Sequence, residues 1–168
     1  MAAGNKVGYA MASKGLLTDQ DASQRNQLGA RYFDDNGNEY IYLQYAASSS
    51  IAAGDWVVYN NATAQASFTA IQLPTSATCG PVAVAMAAAL SSAGFGWFQI
   101  FGLTPTTTNI ATGSADGSVL ALSGTAGRMV VGTSATKTLV GAVGVGSATS
   151  NKGTAFITYP YLFGADPV

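Results

Sequence analysis

Asp34, Asn36 and Asn38 stand at the first, third and fifth places of a calcium-loop spacing. An EF-hand loop needs Gly at its sixth place for the sharp turn and a bidentate Glu at its twelfth. Glu39 and Tyr45 occupy those places here. Asp, Asn and Gly are also the residues that build turns, so Asp34-Asp35-Asn36-Gly37-Asn38 reads as a surface turn. A cation site at Asp34, Asp35 and Glu39 is the competing reading.

Other chemistry-bearing residues are sparse. The chain has no histidine, which removes Ser-His-Asp and Cys-His mechanisms and most zinc sites. Cys79 is the single cysteine and has no neighbouring cation in sequence, so it reads as a small buried hydrophobe rather than an activated thiol. Ser134-Ala135-Thr136-Lys137 matches the S-x-x-K pattern of serine acyl enzymes. That pattern requires a helix start and two companion motifs, and here it falls between expected strands without them. Asp55, Asp116 and Asp166 each adjoin Gly or Pro and read as turn residues rather than as a glycosidase pair. The glycines at 141, 144 and 146 lack the Lys and the helix of a phosphate loop. Asn61-Ala62-Thr63 is a glycosylation sequon, meaningful only in a secretory pathway. No cofactor is expected.

The elements that would position these residues are strands. Glu39 to Tyr45 alternates with period two: Tyr40, Tyr42 and Gln44 share one face, and Ile41, Leu43 and Tyr45 the other. Phe95 to Phe101 sends Trp97, Gln99 and Phe101 one way and Phe98 and Ile100 the other. Further strands are expected at 56–59, 68–73, 118–122, 128–132, 139–145 and 153–159, with Pro160 ending the pairing of the last. Residues 81–90 read as a strand or hairpin arm despite their alanines, which favour helix. Turn signals recur at Ala53-Gly54-Asp55, Ala115-Asp116-Gly117 and 124–127. Short strands with frequent turns are the pattern of a sandwich or barrel. The fold class is therefore mainly β: a single compact β-sandwich or barrel-like domain over residues 31–168, preceded by an extended N-terminal arm over 1–30. A short helix capped by Thr18 or Asp19 is a weaker reading of that arm.

Charged residues make up 9% of the 168-residue chain, against roughly 25% in typical domains. None occurs from Trp56 through Ala115. Seven basic and eight acidic residues leave the chain nearly neutral, so it lacks the basic face that nucleic-acid binding needs. A free monomer with so little surface charge tends to associate, which points to a surface covered by partner subunits. Residues 80–103 are uncharged and long enough to span a bilayer, but their glycines, Gln99 and strand-like alternation argue against a membrane helix, and no membrane partner is expected.

Gln27-Leu28-Gly29-Ala30-Arg31, then residues 35–42 with their acidic-glycine turn and tyrosine strand, then Ile51-Ala52-Ala53-Gly54-Asp55-Trp56-Val57 resemble the opening of small β domains in tailed-phage head proteins. Residues 93–102 are similar to the glycine, aromatic, glycine-tryptophan strand of such proteins, and residues 113–122 and 141–144 fit the same order. The resemblance implies a capsid decoration, or cement, protein on the outer surface of a virion head. It would bind the major capsid protein and bridge capsomers as a homo-oligomer, with a trimer favoured, after synthesis in the host cytoplasm. On that reading the interface residues are Lys6, Lys14, Arg25, Arg31, Trp56, Trp97, Phe101, Tyr161 and Phe163, and the chain is no enzyme. Competing readings are a tail-associated or receptor- and glycan-binding β module, a carboxylate glycosidase, and a shell-forming subunit.

Overall fold

The computed structural model describes residues 16–47, 50–60, 68–75, 80–88, 94–132 and 137–162. These form strands and turns, with no helix among the described residues. In chain order the strands are β1 (Arg31–Phe33), β2 (Glu39–Tyr45), β3 (Trp56–Tyr59), β4 (Thr69–Gln72), β5 (Gly80–Ala85), β6 (Phe95–Leu103), β7 (Thr108–Asn109), β8 (Val119–Leu122), β9 (Met129–Val131), β10 (Thr138–Thr149) and β11 (Lys152–Leu162). The mainly-β class and the barrel-like form are thus both present.

Five strands close on themselves. β2 pairs with β4, β4 with β3, β3 with β5, β5 with β6, and β6 returns to β2. All but β2–β4 are antiparallel. Closure removes exposed edges, and the period-two alternation then assigns every second residue to the interior. Ile41, Leu43, Tyr45, Val57, Tyr59, Ala70, Ala83, Ala85, Phe98 and Ile100 fill that interior. Gly96 belongs to the same inward set: a Cβ there would lie 2.8 Å from the Tyr45 hydroxyl and 3.0 Å from its ring. The missing side chain makes room for Tyr45, whose hydroxyl donates to the Ala87 carbonyl at 3.1 Å.

A second layer consists of β11, β10, β8 and β9, paired in that order. Its inner face presents Leu120, Met129, Leu139, Ala142, Ala155, Ile157 and Leu162 to the outside of the barrel, where Trp56, Val58, Val82 and Val84 meet it. β6 joins the two bodies. Its residues Phe95 to Phe101 pair with β2, while Phe101 to Leu103 pair with Thr158 to Phe156 of β11. β5 adds a second join, Gly80 and Pro81 pairing with Leu162 and Tyr161.

The remaining barrel face, Tyr40, Tyr42 and Trp97, is covered by residues 17–32 through Leu17, Leu28, Ala30 and Tyr32. Asp21 and Phe95 exchange backbone hydrogen bonds of 2.9 and 2.8 Å, and Gly29 and Ala30 bond the backbone of Tyr42. The described part of the expected arm therefore lies across the domain's own barrel as a strap, without helix.

Pro160 does not end the pairing of β11. Tyr161 still pairs with Val140, and Leu162 with Leu139. Between Val140 and Ala142 the register slips, so that residues 158–160 face Gly141 alone. Proline is tolerated at a bulge because no ladder N–H is needed there. Gly141 (φ +77°) and Tyr159 (φ 49°) take the left-handed backbone this requires. Residues 80–103, the stretch long enough to span a bilayer, supply β5 and β6, and no helix of the described residues is long and apolar enough to cross a membrane.

Candidate functional site

Residues directly opposite on neighbouring strands point to the same side of a sheet. Leu103 of β6 lies opposite Phe156 of β11, Phe156 opposite Val143 of β10, and Val143 opposite Val119 of β8. All four point away from the core, at 51%, 42%, 40% and 49% exposure in that order. A row of four large apolar side chains thus crosses four strands on the outer face of the second layer. Val140, Tyr159 and Tyr161 extend it toward the end of β11 and are also exposed. Thr154 precedes Phe156 on β11 and Thr158 follows it, and no charged residue interrupts the rows from Val145–Thr154 to Val140–Tyr161.

One end of this face is organised by a buried carboxylate. Glu39, at 1% exposure, accepts from Arg31 Nη1 at 2.6 Å and from the Tyr159 hydroxyl. The Arg31 guanidinium lies 5.6 Å from the centre of the Tyr159 ring, within cation–π reach. Tyr159 leans on Phe101 at 5.5 Å, and Phe101 meets Phe156 edge-on at 5.9 Å. The hydrogen bond to Glu39, then burial, raises the Tyr159 phenol above its ordinary value. Burial alone would lower the Arg31 guanidinium, but its hydrogen bond to Glu39 and that carboxylate's charge raise it instead. The node ties β1 and β2 to β11 and fixes the aromatic end of the face.

The residues singled out for chemistry have structural work. Asp34 Oδ1 accepts from the backbone N–H of Asn36 and Asn38, both at 2.9 Å, and Oδ2 from the Asn38 amide and the Tyr40 hydroxyl. Burial pushes its carboxyl up, but these hydrogen bonds outweigh it and leave it below the ordinary value. Glu39 turns to Arg31 and Tyr159, so the 34–38 segment is a turn with its carboxylate already engaged. Asp55, 3% exposed, accepts from the Ala52 N–H, the Gln72 amide and the Asn109 amide, tying its own turn to β4 and β7. Asp116 accepts from the Gly146 N–H and locks the turn before β8 to β10. Among the described residues no three His, Cys, Asp or Glu side chains form a metal-binding group. Cys79, Asn61 to Thr63, Asp166 and the Ser134 to Thr136 part of S-x-x-K lie outside the described residues.

The expected interface residues separate into groups. Arg31 and Phe101 both meet Tyr159 at one end of the exposed face, and Tyr161 lies on that face two residues further along β11. Trp56 does not belong there: it is wholly buried between barrel and second layer, its indole N–H donating to the Asn109 carbonyl at 3.0 Å. Trp97 is 4% exposed, packed between Tyr32 and Tyr42 under the strap. Both are core because the barrel wall is covered on its two sides. Arg25 lies on the strap, with Nε 2.9 Å from Asp21 Oδ1. Lys6, Lys14 and Phe163 lie outside the described residues. Leu103, Val119, Val140, Val143 and Phe156 were missed. Their signal was present: Leu139 to Val145 and residues 154–159 carry large apolar groups at both parities, the mark of strands apolar on two faces.

Compared with protein-family models, curated proteins and solved structures, the chain finds no match.

Proposed function

We propose that this chain is a structural assembly protein of the capsid decoration class, which binds the outside of a phage head and strengthens contacts between capsomers. The observation that carries the reading is the uncharged apolar row Leu103–Phe156–Val143–Val119 on the outer sheet face. Contiguous exposed apolar surface of this kind marks a protein contact, and its aromatic members are of the types enriched at interfaces. The near-neutral charge and the resemblance in residues 27–42, 51–57 and 93–102 support the same reading.

The mechanism needs no chemistry. A protein that binds only the assembled shell shifts the equilibrium toward the shell by mass action. Several weak contacts on adjoining subunits add through effective concentration. The strands that carry the row are joined by ladder hydrogen bonds and backed by a buried core, and pre-organisation of this kind lowers the cost of binding.

A second reading, a tail-associated glycan-binding module, draws on Tyr159, a residue 53% exposed beside Phe101 and Arg31. The experiment that separates the two is co-sedimentation with assembled heads and with unassembled shell subunits, run beside a glycan-binding screen. The decoration reading expects binding to heads alone. Glycan binding lost in Tyr159→Ala, with no binding to heads, would replace it by the second reading.

A further inference from the structure

We infer that the occupant of the outer face of β6, β11, β10 and β8 is a second copy of this chain, the two sheets stacked face to face about a two-fold axis. This names the partner of the face on which the assembly reading rests.

Three observations point to a copy. The first is charge. The face carries no charged side chain between its ends, so it offers nothing to steer a charged partner, while two identical neutral faces meet without repulsion. Arg31 stands at one end, and Asp116 and Lys152 stand near the other, by Gly146 and at the start of β11. In a two-fold pairing with strands reversed, each Arg31 lies over the opposite end of its partner, so the two guanidinium groups do not meet.

The second is area. Leu103, Val119, Val140, Val143, Phe156, Tyr159 and Tyr161 are each between 39% and 53% exposed. Together they offer on the order of 600 Å² per copy, so that two copies would bury about the 1,200 Å² at which specific interfaces begin. The third is shape. Among the described residues the row lies on paired strands with no loop over it, and its large end (Leu103, Phe156) is followed by a small one (Val143, Val119), so that in a reversed copy large side chains meet small ones. Sheets stack about 10 Å apart by interdigitating such rows. Isologous contacts of this kind are the commonest in soluble assemblies.

The test is sedimentation velocity over a concentration series on the full chain, with Val143→Glu, Phe156→Glu and, as a charge control on a barrel loop, Ala53→Glu. Each of the first two places a like-charge pair close to the two-fold contact. The expected result is a dimer for the unaltered chain and Ala53→Glu, and a monomer for Val143→Glu and Phe156→Glu with unchanged circular dichroism. Val143→Thr and Phe156→Ser, which keep the strand and add no charge, should weaken the dimer at least tenfold should either Glu variant not fold. A monomeric unaltered chain at every concentration overturns the inference, as does a dimer indifferent to all four substitutions. The same samples sedimented with heads separate this from the assembly reading. A face-dependent dimer that ignores heads leaves the inference standing and removes the decoration role. A monomer whose head binding is lost in Phe156→Glu does the reverse.

Discussion

The barrel of β2 to β6 and the sheet of β8 to β11 are built from the same kinds of residue, yet they differ in how their two faces are used. The barrel wall is covered on both sides: its inner residues pack on each other, and its outer residues pack under the second layer or under the 17–32 strap. The outer sheet has one covered face and one bare face, and the bare one holds Leu103, Phe156, Val143 and Val119. An apolar residue in the barrel wall therefore contributes to folding, and one on the outer face of β10 or β11 contributes little. Apolar side chains left largely exposed are what distinguish this face from the core.

That contrast can be broken most strongly at the seam between the two bodies. Trp56→Ala removes a fully buried indole that touches both, and unfolding free energy should fall by about 3–5 kcal/mol, measured by urea denaturation. Gly96→Val should act from inside the barrel with a loss of about 1–3 kcal/mol, because the added group meets the Tyr45 ring and overpacked cores must shift. Strap closure is next. The Tyr42 hydroxyl donates to Asp21 at 2.7 Å, so Tyr42→Phe should cost about 1–2 kcal/mol and raise amide hydrogen exchange at Asp21 and Phe95.

The tyrosines sharpen the comparison through pH. Burial, then the hydrogen bond to Asp21, pushes the Tyr42 phenol up to about 12. Burial raises Tyr40 and Tyr45 as well, helped in Tyr40 by its hydrogen bond to Asp34. All three stand in the barrel wall. The folded chain holds their protons above the pH near 10 where unfolded tyrosine releases them. Their contribution is full below about pH 10 and is lost as pH rises through about 12. The urea midpoint should fall over that window, and the fall should shrink in Tyr42→Phe. The smallest effect on stability belongs to the outer face. Val143→Thr should change unfolding free energy by less than about 0.5 kcal/mol, as surface substitutions do, and Phe156→Thr by about 0.5–1.5 kcal/mol through the lost contact with Phe101, while both weaken binding to heads or to a second copy. A loss of several kcal/mol from either would place that side chain in the core.

Much of this architecture was legible in the alternation of side chains. The two faces of 39–45 and of 95–101 follow the expected parity, residue for residue, because each face packs against a different cluster. The Asp34 turn was legible from composition, since its hydrogen bonds are local. Closure of the barrel was not, because β2–β4 and β2–β6 pairings join residues far apart in sequence, which no local pattern encodes. The burial of Trp56 and Trp97 was hidden for the same reason: an aromatic on a strand looks alike whether a second layer covers it or solvent does. Pro160 misled because its bulge depends on Gly141 across the ladder.

β6 serves two bodies at once, bonded to β2 and β5 within the barrel and to β11 in the outer sheet. A pull applied through the outer sheet passes along this strand into the barrel wall, where hydrogen bonds on both flanks resist sliding together. Among the described residues the two layers share continuous hydrogen-bonded strand, through β6 and through the start of β5, rather than only a packed contact. A load on one layer is thus shared with the other through main-chain bonds as well as side-chain packing.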